Sequence, residues 1–229
     1  NGNKAAEYIL TCRQMRISIL PPDVNEGESG FSVSNGAIRY GLSAIKSVGK
    51  NVVDQIVAER RANGAFSSME DFIERMSNKE ANKKTLENFI KAGAMDSLPG
   101  NRRQKLMVAP QLLEQKNKEK KTSMAGQMSL FDFVEEEVKD DFRITLPDVP
   151  EFPKDELLAF EKETMGIYVS GHPMDAFQEL WQKNITATAA DFIVDEETDR
   201  AKVVDSSIVT IGGMVTGKTV KTTRTGHMM

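Results

Sequence analysis

From Leu42 to Lys118 the apolar residues recur at helical spacing in short blocks separated by glycine and small polar residues, and this punctuation constrains the fold more than any other feature. Leu42, Ile45 and Val48 precede Gly49; Val52, Val53, Ile56 and Val57 share one face beyond it, up to Asn63-Gly64. The spacing predicts two short helices joined at Gly49. Ser68 then stands as an N-cap before Met69, Phe72, Ile73 and Met76, with Asp71 in the place of a capping-box acid. A further helix carries Leu86, Phe89 and Ile90 and stops at Ala92-Gly93-Ala94, and Asn101 can cap another from Arg102 to about Lys118. The expected class is mainly α. With 229 residues, the chain can hold one large domain or two small ones.

The flanks are less helical. Tyr8, Ile9, Cys12, Met15 and Ile17 suit a helix running into a short strand that Pro21-Pro22 breaks, and Phe31 to Val33, Asn35-Gly36 and Ala37 to Tyr40 spell a small hairpin. Lys116 to Thr122 is a charge run without an apolar face and Ser123 to Gly126 is small, so order is expected to lapse into a linker there. Gln127 to Val134 is an apolar island, followed by acidic residues and the Pro-rich stretch from Pro147 to Pro153. Helical spacing returns with Leu157, Phe160 and Met165 before Gly166, and a short helix is expected from Asp175 to Trp181. From Val203 onward β-branched residues and glycines predict one strand over Ile208 to Val215 and a second over Lys218 to Thr225. Two strands make no stable sheet alone, so the reading is of an incomplete terminal domain.

Composition narrows the classes. No apolar run approaches the roughly 20 residues of a membrane-spanning helix, and the start at Asn1 shows neither an initiator Met nor a leader and reads as a cut. Cys12 is the lone cysteine and cannot form an internal disulfide; with two histidines it offers no zinc-ligand spacing, and a reducing cytoplasm fits best. The net charge of −4 hides a division. Lys79 to Lys121 holds eleven Lys or Arg against five Asp or Glu (+6), whereas Asp132 to Glu163 holds four against twelve (−8). The basic stretch suits phosphate; the acidic one does not.

Leu42 to Ile56 resembles a helix-hairpin-helix motif, a device for binding the DNA backbone. Its hairpin aims the unpaired amides of the second helix at a phosphate, which the helix dipole also favours. Gly49 lets the backbone approach, Lys46 and Lys50 flank the turn, and Ser47 and Val48 complete it; the usual motif has glycine where Ser47 stands. A plain helical hairpin is the alternative. Leu86 to Asp96, with Lys91 and Gly93, runs into Asn101-Arg102-Arg103 and repeats the pattern, so a tandem pair is expected. Gln127-Met128-Ser129-Leu130-Phe131 resembles the pentapeptide by which bacterial proteins bind the replication sliding clamp. Leu130 and Phe131 would be apolar anchors and the Gln127 amide a rim contact; the alternative folds this island back on the chain's own core.

The order of these pieces resembles the alpha subunit of bacterial DNA polymerase III, the DnaE-type replicative family. Three stretches carry the resemblance: Tyr8 to Met15 with Ile19 to Asn25, Ala37 to Gly49, and Glu156 to Pro173. It implies a fragment divided into 1–38, the end of the fingers; 39–122, a tandem helix-hairpin-helix domain; 123–153, a linker with the clamp peptide; 154–202, a helical connector; and 203–229, the start of a truncated OB-type β-barrel. It also implies a parent enzyme that extends primers using two magnesium ions held by palm aspartates expected upstream of Asn1. No catalytic or metal-binding residue is therefore assigned within this chain, Asp140-Asp141 reading as linker charge and His172 as a turn residue. The implied partners are primer-template duplex DNA, single-stranded template at the OB region near Lys218, Lys221 and Arg224, the clamp and other replicase subunits. A structural spacer between polymerase domains and a self-contained magnesium-dependent nuclease are the rival readings.

Overall fold

The N-terminal hairpin forms where Asn35 and Gly36 both take positive φ, 50° and 77°, the turn whose twist matches two antiparallel strands. The computed structural model describes residues 2–76, 82–124, 145–195, 198–215 and 217–220. Strands β2 (Ser32–Ser34) and β3 (Ala37–Arg39) pair antiparallel with Val33 opposite Ile38. Helix α1 (Gly2–Gln14) turns at Arg16 into β1 (Ile19–Leu20), which pairs parallel with β3, so the sheet order is β1-β3-β2. The hairpin and the helix-to-strand run follow the sequence pattern. The third partner in the sheet does not, because a parallel neighbour leaves no turn signature.

The blocks from Leu42 onward become a 3-10 turn at Leu42–Ala44 and helices α2 (Lys50–Asn63), α3 (Met69–Met76), α4 (Lys83–Lys91) and α5 (Arg102–Met124). The first arm at Gly49 is thus a single tight turn rather than a helix. Leu42 and Ile45 still point inward, and with Val53, Ile56, Phe72, Met76, Phe89, Ile90 and Met95 they make one core. Phe66, Phe72 and Phe89 meet edge to face at centroid distances of 4.9 and 6.2 Å, an arrangement that favours aromatic rings beyond their buried area. Helix starts are specified locally. The Ser68 hydroxyl accepts from the Asp71 amide at 3.2 Å, while the Asp71 carboxylate accepts from Ser67, one residue earlier than a capping box requires. Asn82 caps α4 through the Thr85 amide at 2.9 Å. Asn101 and Gln104 cap α5 reciprocally, each side-chain oxygen accepting from the other's amide at 2.8 Å. The expected lapse of order from Lys116 is corrected: α5 continues to Met124. Lysine and glutamate are good helix formers, and Lys118 pairs with Glu114 one turn back at 3.1 Å.

Residues 145–153 run beside the start of α5 without regular structure and lead into α6 (Lys154–Met165), closed by Gly166 in the left-handed conformation. The inward residues of α6 are Leu158, Glu161, Thr164 and Met165, while Leu157 and Phe160, expected from the spacing to be apolar anchors, are half-buried. Glu161 is fully buried and accepts the Val169 and Ser170 amides at 2.7 and 3.1 Å, which ties down the turn after α6.

Asn1–His172 form one unit and Pro173–Met229 a second. The second unit holds a 3-10 turn (Pro173–Phe177), α7 (Gln178–Asn184) and a further 3-10 turn (Ala189–Phe192). Trp181 and Ile185 lie over Gly212, and the Thr186 amide donates to the Thr210 carbonyl at 3.0 Å. Among the described residues after Val203 no strand ladder forms, although Ile208 to Val215 was expected as a strand; Ile208 and Val215 are exposed. A β-rich segment shows a ladder only where a partner strand meets it. Most of the expected second strand, from Lys221 on, lies outside the described residues.

Candidate nucleic-acid interface

Helix α2 begins with an open end. Gly49 is its N-cap in extended backbone, no side chain caps it, and its first turn contains no acid. The first backbone bonds of the helix are the Val52 and Val53 amides donating to the Gly49 carbonyl at 3.1 and 3.3 Å. Gly49, Lys50 and Asn51 are exposed, and a Cβ added at Gly49 would meet nothing within 4 Å. Neither internal packing nor backbone strain therefore requires glycine there, and its backbone is open to solvent. Ser47 takes φ 61°, so the position where the motif ordinarily has glycine does adopt the left-handed conformation that favours glycine. Val48 is half-buried against the core and fixes the turn from inside.

Lys46 lies on the other side of the same turn, and its ammonium donates to the Glu163 carbonyl at 2.8 Å, at the C-terminal end of α6. Its amide donates to Thr164 O at 2.8 Å, and its carbonyl accepts from Asn88 Nδ2 at 2.7 Å. Lys91 pairs with both Glu163 carboxylate oxygens, at 2.9 and 3.1 Å. Two of the lysines expected to face phosphate thus converge on one acidic residue of α6.

The Gly93 unit is filled by the protein itself. Gly93 has φ 80°, and a Cβ there would lie 2.2 Å from Arg102 Nη2. Arg102 is buried, with its guanidinium on the Asp96 carboxylate at 2.7 to 3.1 Å and on the Lys91 carbonyl at 3.1 Å. The amides of Arg102 and Arg103, at the start of α5, donate to the two Glu151 carboxylate oxygens at 2.8 and 3.1 Å. Where a phosphate would sit on this helix end, a carboxylate from residues 145–153 already sits. Arg103 is exposed and stacks its guanidinium on Phe152 at 5.5 Å. Gly93 and Arg102 therefore build the turn from within, and Lys46, Ser47, Gly49, Lys50 and Arg103 are the residues expected to bind DNA that stand at the surface.

A family model described as a helix-hairpin-helix motif matches residues 16–105, a stretch that includes Gly49 and Gly93. Over its whole length the chain is 37% identical to the DNA polymerase III subunit alpha of Borreliella burgdorferi, covering 19% of that protein. It is 36% identical to the same subunit of Thermus aquaticus, over 100% of this chain and 18% of the relative. Against that of Mycobacterium leprae it is 36% identical over 93% of this chain and 18% of the relative. The chain belongs to the DNA polymerase III alpha-subunit family. It spans less than a fifth of the length of these relatives.

The pentapeptide Gln127, Met128, Ser129, Leu130 and Phe131, the acidic pair Asp140-Asp141, and Lys221 and Arg224 lie outside the described residues. Lys105, one turn into α5, escaped the sequence reading: it is fully buried and its ammonium donates to the Met95 carbonyl at 2.7 Å. Burial pushes it below its ordinary value of 10.5, opposed by the nearby Asp96 and Glu151 carboxylates, assisted by Arg102 and opposed again by Asp23. Glu151 and Glu163 were also missed as neighbours of the hairpins. The signal available for them was the −8 stretch following the +6 stretch in the sequence. Among the described residues no three His, Cys, Asp or Glu side chains gather in a way that could hold a metal ion, and no helix is long and apolar enough to cross a membrane.

Proposed function

We propose that this chain grips duplex DNA by its backbone within a replicative polymerase, through the open N-terminus of α2, and tethers that polymerase to the sliding clamp through Gln127 to Phe131. The observation that supports the grip is the uncapped, acid-free first turn at Gly49 with Lys50 exposed on it. A phosphate oxygen placed there receives amides along the helix dipole and a charge-assisted contact from Lys50. Such contacts position a duplex without reading its sequence. Two weak attachments on one chain each raise the effective concentration of the other, which is the physical basis of processivity. The parent activity, template-directed extension of a primer, follows from kinship with the alpha subunits. The two magnesium ions it would use are expected on palm aspartates of the parent enzyme, and nothing in the DNA grip depends on them. The setting is the bacterial cytoplasm, on the nucleoid, with other replicase subunits as further partners. The stretch from Val203 on opens an OB-type barrel able to meet single-stranded template.

The test is duplex binding by fluorescence anisotropy across a salt series. Binding is expected to be the same for unrelated sequences and to weaken steeply with salt. Lys50→Ala should lower the slope of log K against log salt by about 0.9, one phosphate contact. An unchanged slope removes the α2 grip. For the tether, Leu130→Ala with Phe131→Ala should abolish binding to the purified clamp, and equal affinities would refute it.

A further inference from the structure

We propose that residues 146–165 act as an internal stand-in for nucleic-acid backbone, with Glu163 and Glu151 holding hairpin-domain groups that DNA phosphate must win by competition. This inference rests on the DNA-binding reading above and adds a regulator to that surface. The charge division gives the first indication: Glu151 and Glu163, from the described part of the acidic stretch, lie against the basic stretch at Arg103 and Lys91. The geometry gives the second. Glu163 presents both carboxylate oxygens to the Lys91 ammonium at 2.9 and 3.1 Å, and its carbonyl takes the Lys46 ammonium at 2.8 Å. Glu151 presents both of its oxygens to the first amides of α5, the place a phosphate takes on a helix N-terminus.

Anchoring of α6 does not require the Glu163 carboxylate. Leu158, Met165, Ile167 and Val169 are buried beneath it, and the Lys46 amide already holds the Thr164 carbonyl at 2.8 Å. The Glu163 side chain is 57% exposed and that of Lys91 25%, so the pair lies where an incoming phosphate can reach it. An ion pair this exposed is weak and salt-screened, which makes it a competitor rather than a lock. When phosphate replaces Glu163, the Lys91 ammonium exchanges one anionic partner for another, and the freed carboxylate turns to solvent.

Glu163→Gln in the full 229-residue chain tests the proposal. Duplex affinity at low salt is expected to rise roughly two- to fivefold, the range an exposed ion pair can hold back. The salt slope should stay close to that of the wild type, because Lys91 meets phosphate in both complexes. Glu179→Gln in α7 changes net charge equally, and wild-type behaviour is expected of it. Glu151→Gln provides an independent arm, with a further rise expected when it is combined with Glu163→Gln. Thermal melts showing each variant folded accompany the titrations. If the wild type binds with the expected salt slope and Glu163→Gln matches Glu179→Gln, the competitor role is overturned while the grip stands. If none of the proteins binds duplex, both fall together.

Discussion

At Ser47 the backbone turns left-handed with a side chain attached, which costs about 1 kcal/mol relative to glycine. Ser47→Gly is therefore expected to raise stability by about that amount in urea denaturation, with an unchanged m-value. Gly93 is the opposite case. Alanine there would combine a positive φ with a Cβ 2.2 Å from the Arg102 guanidinium, itself buried and held by Asp96. Gly93→Ala should cost at least about 2 kcal/mol, because strain and displacement of a buried ion-pair partner act together. Lys105 couples stability to pH. Its folded value is depressed by burial, so between that value and 10.5 the unfolded chain binds more protons than the native one. Stability from this group accordingly rises with pH across that window and is smallest below it. Melting wild type and Lys105→Met from pH 7 to 10 should show the wild type gaining on the variant as pH rises; parallel curves would count against a buried charged lysine.

Among the elements, α5 shows which information the sequence carries and which it lacks. Its start was legible because Asn101 is a capping residue, and the structure adds Gln104 as its reciprocal partner. Asn101→Ala should cost about 1 kcal/mol, read from the urea midpoint. Its length was not legible: absence of an apolar face after Lys116 argues against packing, not against helix, and lysine- and glutamate-rich sequence continues a helix already nucleated. The hairpin at Asn35-Gly36 and the α4 stop near Gly93 were legible for the same local reason, that few residues tolerate those dihedrals. Partners from distant sequence were not. Glu151 on the α5 amides and Glu163 on Lys91 are separated from their targets by 48 and 72 positions, and no periodicity encodes such a pairing. The open helix start at Gly49 was legible because its geometry is local. At Arg102, expected to meet DNA, the guanidinium is instead buried and held by Asp96, six residues away in sequence.

For the molecule as a whole, the division into Asn1–His172 and Pro173–Met229 has a thermodynamic consequence. The first unit buries a continuous aromatic and aliphatic core, whereas in the second Ile208, Val204, Ile193 and Val215 are largely exposed and, among the described residues, Ala187 alone reaches burial. Stabilisation scales with apolar surface removed from water, so the second unit is the weaker of the two. The chain's single tryptophan, Trp181, lies in that weaker unit against Gly212, while most of the helix lies in the first. Trp181 fluorescence and far-UV circular dichroism thus follow different units. Their urea transitions are expected not to coincide, with fluorescence changing at lower denaturant, a departure from two-state behaviour that the two probes expose directly. Phe89→Ala, which opens a cavity in the first unit at a cost of about 3–5 kcal/mol, should shift the dichroism transition and leave the fluorescence one in place. A single shared transition in wild type, or a joint shift in the variant, would mean that the two units fold as one.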